Sequence, residues 1–428
     1  MKKQYDIIVA GGGMSGVAAA VAAARLGRSV LLVERNGALG GLGTLGLLNM
    51  ILGPRNGFGG IGLEIMDYLR KTGGSVCGNS FDVEHMKRAL DKIVSESGAD
   101  ILMYAMITGV KRDSHGLTGL ELFGQTGFFT VEGKYFVDAT GDAMLAYLGG
   151  EPVELGGENG DTQAPTMVCS YINVDFAKYS AFLERYGGDN VAMIRDTLPK
   201  AVAAGDVGEL DFHHPGPFKI NDTVTMVNAG HVYGADCLTS EGLTSATIKG
   251  RRQADEYFRF YKKYIPGFEN SYLVSTGSVI GIRETRRING KYTMTFEDKV
   301  AFKKFDDAIM RMDGGSTSDV HASSPDKDAY AAYYNLFTNN DVNRPDDWAT
   351  LPYRSLLAQN AGNLLAAGRC VSTDRKVQGQ IRVMAHCFMM GQAAGTGAAL
   401  AAGKGSDAGG INIVELQSIL RKNGIENI

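Results

Sequence analysis

The chain has 428 residues, 44% of them apolar, and its 43 basic and 47 acidic residues leave a formal charge of −4. That length suits two domains, each able to bury a core, while the near-neutral balance offers no basic face to nucleic acid and no basic run to a membrane surface. No apolar stretch is long enough to span a bilayer, and the five scattered cysteines lack any C-x-x-C, so a soluble, cytoplasmic protein without disulfides or a metal site is expected.

From Tyr5 the chain reads Y-D-I-I-V-A-G-G-G-M-S-G-V-A-A-A-V-A-A-A-R-L-G-R-S-V-L-L-V-E-R. The run Ile7 to Ala10 predicts a strand, Gly11, Gly13 and Gly16 a tight G-x-G-x-x-G turn, the alanines a helix, and Val30 to Val33 a second strand. Gly11 takes the turn, Gly13 removes the Cβ that would block a pyrophosphate, and Gly16 lets helix and strand approach. The helix start, with open N–H groups and a positive dipole, receives the phosphates. Glu34 stands where an acid accepts bonds from ribose hydroxyls. The same glycine spacing recurs at Gly41-Gly43-Gly46 and Gly57-Gly59-Gly62, but neither lies between strand and helix, and the latter, after Pro54-Arg55-Asn56, reads as loop.

The stretch after Glu34 is too glycine-rich for a regular element and suits the lining of a flat ligand, with Thr44 offering a hydroxyl. Residues 62–71 and 83–95 carry helical spacing, 100–110 strand character, and 117–137 the alternation of a small antiparallel meander. The meander ends in D-A-T-G-D, a sharp turn that sets backbone N–H groups and Asp142 at the carboxyl end of the sheet, where ligands of open α/β folds bind.

Near Glu151 the texture changes. Residues 163–175, 223–229 and 271–282 read as strands, 189–204 as a surface helix, and 239–264 as a long helix whose tyrosines are packing groups, stopped by Pro266-Gly267. Thr295 to Asp298 is a capping box opening a further helix, and 313–328 reads as a surface loop. No second dinucleotide motif occurs. From Leu351 the first texture returns, with a buried strand ending at Gly368-Arg369 and a small-residue helix through Gly391, Ala394 and Gly395. The fold class is therefore α/β: a discontinuous Rossmann-like domain, residues 1–150 and 351–428, with an α+β substrate or cap domain inserted at 151–350.

Taken together, V-A-G-G-G-M-S-G-V-A-A-A, G-A-L-G-G-L-G-T, D-A-T-G-D, G-I-R-E-T-R-R-I, N-L-L-A-A-G-R-C-V-S and R-V-M-A-H-C-F-M-M-G-Q-A-A-G make the chain resemble FAD-dependent oxidoreductases whose nucleotide domain is like that of glutathione reductase and fumarate reductase. The resemblance implies that Gly11, Gly13, Met14, Ser15 and Gly16 cradle the FAD diphosphate and that Glu34, with Arg35 beside it, holds the adenosine ribose. It places Gly40, Gly41, Gly43 and Thr44 along the ribityl and ring, backbone near Ile107 at the adenine, and Thr140, Gly141, Asp142, Gly368 and Arg369 by the diphosphate. It also implies that Gly391 and Ala394 aim a helix start at the flavin pyrimidine. Asp374-Arg375 and Ala385-His386 depart from the family pattern, so the polar chemistry facing the substrate is this chain's own.

The expected reaction is hydride exchange between flavin N5 and a small polar substrate, by CH–OH or CH–NH oxidation or reduction of an activated double bond. His386 is the first choice for proton exchange, with Arg283 and Arg382 as carboxylate-binding or charge-neutralising groups. Arg286, Arg287 and Arg354 complete the arginine set, and Arg283 and Arg287 can share a face that Arg286 does not. Cys387 reads as packing and the pair His213-His214 as solvated loop, although with His231 it lies in the insertion that covers the ring. An NAD-dependent dehydrogenase and a flavin-carrying subunit of a larger assembly are the competing readings, and a homodimer stays open.

Overall fold

A computed structural model describes residues 2–53, 58–157, 159–211, 213–313, 318–326, 328, 331–332, 347–426 and 428. Pro54 to Gly57, the start of the third glycine repeat, and part of the 313–328 segment lie outside them.

The first half builds a sheet with its helices. β1 (Gln4–Ala10), α1 (Met14–Arg25) and β2 (Val30–Val33) form the expected unit, followed by α2 (Gly60–Lys71), α3 (Val83–Ser97), β3 (Asp100–Leu102), β4 (Met106–Arg112), β5 (Leu117–Gly124), β6 (Gly127–Asp138) and α4 (Met144–Leu148). The strand predicted over 100–110 is two strands, because Tyr104 takes a left-handed φ of 57° and its N–H turns back to Asn36. The strand order is β3-β2-β1-β6-β5-β4, with β1 parallel to both β2 and β6 and the three-stranded meander at the edge. Since β1 lies between its immediate successor and a strand reached only after a long crossover, the carboxyl ends of β1 and β6 form the switch point where such folds bind ligands.

The middle segment carries β7 (Val153–Leu155), β8 (Cys169–Ile172), α5 (Phe176–Leu183), α6 (Asn190–Ala203), β9 (Pro217–Lys219), β10 (Val224–Val227), α7 (Ser240–Tyr264), β11 (Tyr272–Thr276) and β12 (Arg286–Ile288). Four of these strands form an antiparallel sheet in the order β11-β8-β10-β9. The predicted strands at 163–175 and 271–282 are thus shorter, and their remainders are extended chain that pairs only locally, Thr166 with Gly281 and His231. Thr239 caps α7 by accepting from Gly242 N, and Tyr257, Phe260 and Tyr261 pack into the core with Tyr171 and Phe268.

Beyond α8 (Phe296–Val300), opened by the Thr295/Asp298 capping box, come β13 (Ala308–Asp313), β14 (Trp348–Pro352), β15 (Leu364–Ala366), α9 (Arg375–Ile381), α10 (Met384–Lys404) and α11 (Ile413–Lys422). β15 joins the main sheet parallel to the end of β6, as the returning C-terminal texture requires. The packing does not follow a boundary at residue 351: Met294, Phe305, Ile309, Met310 and Met312 already lie in the core of α1 and α10. Helix α10 lies directly on α1, and a Cβ at Gly391 would sit 2.0 Å from Ser15 O and one at Gly395 2.1 Å from Ala19 O. Gly391→Val is therefore expected to cost about 3 kcal/mol or more, since backbone cannot move aside as a side chain does. An unchanged thermal denaturation midpoint would contradict this packing.

Candidate active site

The turn after β1 contains three glycines with different reasons to be glycine. Gly11 has φ 97° and its Cβ would lie 2.5 Å from Ala139 O, while a Cβ on Gly16 would lie 1.8 Å from Gly11 O. The protein itself dictates both. Gly13 has an ordinary φ of −66°, and a Cβ there would meet nothing within 4 Å. It opens onto a groove at the start of α1, where no side chain caps the first turn and no acidic residue competes for its dipole.

The groove is walled by residues that hold one another. Glu34, buried, accepts from Gly12 N at 2.7 Å with one oxygen and from Asn36 N and Nδ2 with the other, at 2.8 and 2.7 Å. Arg35 beside it is exposed. Gly40 N donates to Gly12 O, and Gly40 and Gly41, with φ 98° and 54°, bring the next loop against Gly13. Gly43 packs on the Met14 and Met384 side chains. Thr44 does not offer its hydroxyl to a ligand as expected, because it is buried and donates to Leu39 O at 2.5 Å. Ile107 lies inside β4 opposite Leu122, and Ala105 is the residue whose N–H reaches Glu34 O.

On the opposite wall Asp138 fixes the D-A-T-G-D turn. Its carboxylate accepts from the Thr140 hydroxyl at 2.6 Å and from Leu145 N at 2.7 Å at the start of α4. Gly141 turns the chain with φ 78°, and Asp142 accepts from Arg369 Nη2 at 2.5 Å and Thr285 Oγ1 at 2.6 Å. Burial opposes the Asp142 charge, yet the Arg369 guanidinium holds its carboxyl below the usual range. Gly368, φ 92°, brings its backbone onto Ser15, where a Cβ would lie 2.6 Å from the hydroxyl.

Beyond this groove lies a buried polar cluster. Asp211 accepts from His231 Nδ1 at 2.9 Å and from His213 N at 3.0 Å, His231 Nε2 lies 2.6 Å from His321 Nδ1, and His321 Nε2 lies 3.1 Å from Asp319 Oδ1. Arg382 donates to Asp319 Oδ2 at 2.9 Å, and Arg283 donates to Ala164 O and the Thr166 hydroxyl at 2.6 and 2.8 Å. The His213 ring centre is 4.1 Å from that of His321. Two glutamines link cluster and groove: Gln163 accepts from His321 N and donates to Gln378, whose amide donates to Arg283 O and, at 3.5 Å, to Arg369 O. Burial pushes His213 down to about 3, and burial with Arg283 nearby pushes His321 well below its ordinary value. Burial opposes the charge of Asp319, but its contact with His321 and the Arg382 guanidinium keep its carboxyl well below the usual range.

A family model described as FAD dependent oxidoreductase matches residues 6–420. The chain belongs to that family. Its cofactor is FAD, which the open Gly13 cradle and uncapped start of α1 fit, and the oxidoreductase is an enzyme. A curated relative, digeranylgeranylglycerophospholipid reductase 1 of Methanococcoides burtonii, is 26% identical over 216 residues, 45% of this chain and 50% of its own, so the match spans about half the length of that relative. Among solved structures, a geranylgeranyl bacteriochlorophyll reductase-like protein from Thermoplasma acidophilum aligns over 99% of the oxidoreductase and 84% of its own chain, at 12% identity and a TM-score of 0.49. The myxobacterial halogenase CndH aligns over 99% and 79%, at 11% and 0.48. Among the described residues no helix of the oxidoreductase is long and apolar enough to cross a membrane.

Of the three residues expected to carry the oxidoreductase's chemistry, the structure brings Arg283 and Arg382 to the cluster and leaves His386 apart. His386 is fully buried on α10, and burial pushes it down to about 4 against the opposing pull of Asp313 and the Gln380 backbone. An imidazole shut off from solvent and substrate is a poor proton carrier. Gly391 and Ala394 sit in the middle of α10 against α1, and the helix starts seven residues before Gly391, at Met384, so neither presents a helix start to the flavin. Cys387 is packed as expected, and burial raises its thiol to about 11. Of the pair His213-His214, expected in a solvated loop, His214 is instead buried against Tyr257 and Tyr261, and His213 is half-buried. Asp319 and His321 lie in the stretch read as surface loop, where Ser318 and His321 are in fact buried. Neither they nor Asp211 carried a local signal, because the cluster draws on separate segments near residues 163, 211, 231, 283, 319 and 382.

Proposed function

We propose that this oxidoreductase exchanges a hydride between FAD and a small polar substrate, in a CH–OH or CH–NH oxidation or the reduction of an activated double bond. The observation that carries the reading is the clustering of His213, His321, Asp319, Arg283 and Arg382, tied through Gln378 to Arg369, the partner of Asp142. Bound FAD supplies the two-electron acceptor or donor. The chain's residues then have three tasks. The guanidiniums of Arg283 and Arg382 favour an anionic or oxygen-rich group, His213 and Asp319 face the partly exposed side of the cluster, and Gln163 and Gln378 fix the segments that carry them. A wall this polar favours a compact substrate over the prenyl chains named for its relatives, since each apolar methylene laid against it would leave buried polar groups unpaired.

The test is anaerobic. Small hydroxy acids, sugars and amines are mixed with the oxidised protein, and activated alkenes and geranylgeranyl lipids with the reduced protein, while the flavin spectrum is followed. Bleaching by a polar donor, or reoxidation by a polar alkene, is expected. Reoxidation by the prenyl lipid together with silence from every polar compound would overturn the proposal.

A further inference from the structure

The row Asp211, His231, His321, Asp319 is joined by contacts of 2.9, 2.6 and 3.1 Å, and the ring of His213 lies 4.1 Å from that of His321, centre to centre. Three side chains that can ligate a metal, His213, His321 and Asp319, thus converge at one end of the row.

We infer that His213, His321 and Asp319 form a binding site for one divalent transition-metal cation of the Zn2+ and Fe2+ class. One ligand atom from each residue can be chosen so that all lie within 4.8 Å of one another. The 3.1 Å between His321 Nε2 and Asp319 Oδ1 is the span of two donors sharing an ion at bond lengths of about 2.1 Å. His213 supplies the third donor. Two imidazoles and one carboxylate are the ligands such cations select, and they leave coordination positions open. The second shell is already built. Asp211 orients His231, His231 orients His321 through the nitrogen that does not face the ion, and Arg382 holds the far oxygen of Asp319 so that Oδ1 turns inward. Asp319 is 28% exposed while His321 is 5% exposed, so the site has an open side and a closed one.

The inference deepens the proposed function. An ion here would take the oxygen or nitrogen of the group undergoing hydride exchange, which narrows the substrate to one with a hydroxyl, carbonyl or amine on or next to the reacting carbon. The sequence showed no metal motif because the ligands come from residues 213, 319 and 321, at no characteristic spacing.

The experiment uses the flavin-loaded protein, dialysed against chelator, incubated with Zn2+ or, anaerobically, Fe2+, and passed through a desalting column. Metal per chain is read by elemental analysis and flavin per chain by visible absorbance. About one ion per chain is expected in the wild type, with at least a tenfold loss of affinity in Asp319→Asn and in His213→Ala, flavin content unchanged. His231→Gln should weaken metal binding by about 10- to 100-fold, the effect of losing an outer-shell partner. Wild-type protein that holds flavin but no more metal than Asp319→Asn overturns the site. Wild-type protein that holds metal but no flavin contradicts the FAD reading instead.

Discussion

Gly13→Asp is expected to give a folded, colourless protein. A Cβ at this position meets no protein atom within 4 Å and the backbone φ of −66° suits any residue, so the substitution neither clashes nor strains the chain. The new carboxylate would stand at the uncapped start of α1, where its charge is favourable in the absence of ligand. With FAD it becomes doubly unfavourable, since it fills the room the diphosphate needs and sets like charge against it. Flavin occupancy should fall by about a hundredfold or more, equivalent to roughly 3 kcal/mol, while the far-UV spectrum and denaturation midpoint stay near those of wild-type apoprotein. Gly16→Ala makes the contrast. Its Cβ would lie 1.8 Å from Gly11 O, so the turn itself must move and flavin and stability should be lost together. A Gly13→Asp protein that carries normal flavin would show that the phosphates lie elsewhere.

The same contrast explains what could be read before the fold was known. Local physics writes the β1-turn-α1 unit, the capping box at Thr295 and the stop of α7 before Pro266 into contiguous residues, and each stands where the pattern puts it. The alternation of the arginines in G-I-R-E-T-R-R-I also carries through. Arg283 and Arg287 are buried, while Arg286 turns away to stack on Tyr147 at 4.0 Å. Arg354, grouped with them by composition, pairs with Asp307 at 3.0 Å instead. What failed was inference from neighbourhood in sequence. Gly391 looked like part of a helix start because small residues crowd there, but their smallness serves the contact with α1. His386 looked reactive because its segment resembles one that reaches the flavin, yet side chains turn around a helix and this one points into the core. The histidines that do converge, His213, His231 and His321, come from separate segments and meet only through the tertiary fold.

Glu284→Ala is expected to be strongly destabilising. The carboxylate is fully buried. One oxygen accepts from Arg287 Nη1 at 2.7 Å, and the other lies 3.0 Å from Arg375 Nε and accepts from Gln163 N at 3.1 Å. Arg287 is itself buried and also donates to Thr373 O and Gly156 O, and its next carboxylate, on half-exposed Glu154, is 3.7 Å away. Removing Glu284 leaves that guanidinium short of its main counter-charge, a loss of about 3–5 kcal/mol. The exposed pair Arg25–Glu64, of similar length at 2.8 Å, should yield less than about 1 kcal/mol when broken, because water and salt already screen it. The site should suffer as well. Glu284 joins the segment bearing Arg283 and Thr285 to α9 and to the chain at Gln163, so its loss frees the Asp142 contact and the cluster together. Glu284→Ala should therefore lower both the unfolding midpoint and flavin retention, with Glu284→Gln between it and wild type because the amide keeps the shape and one acceptor. An alanine variant as stable as wild type would mean that the buried charges are neutralised by partners other than this carboxylate.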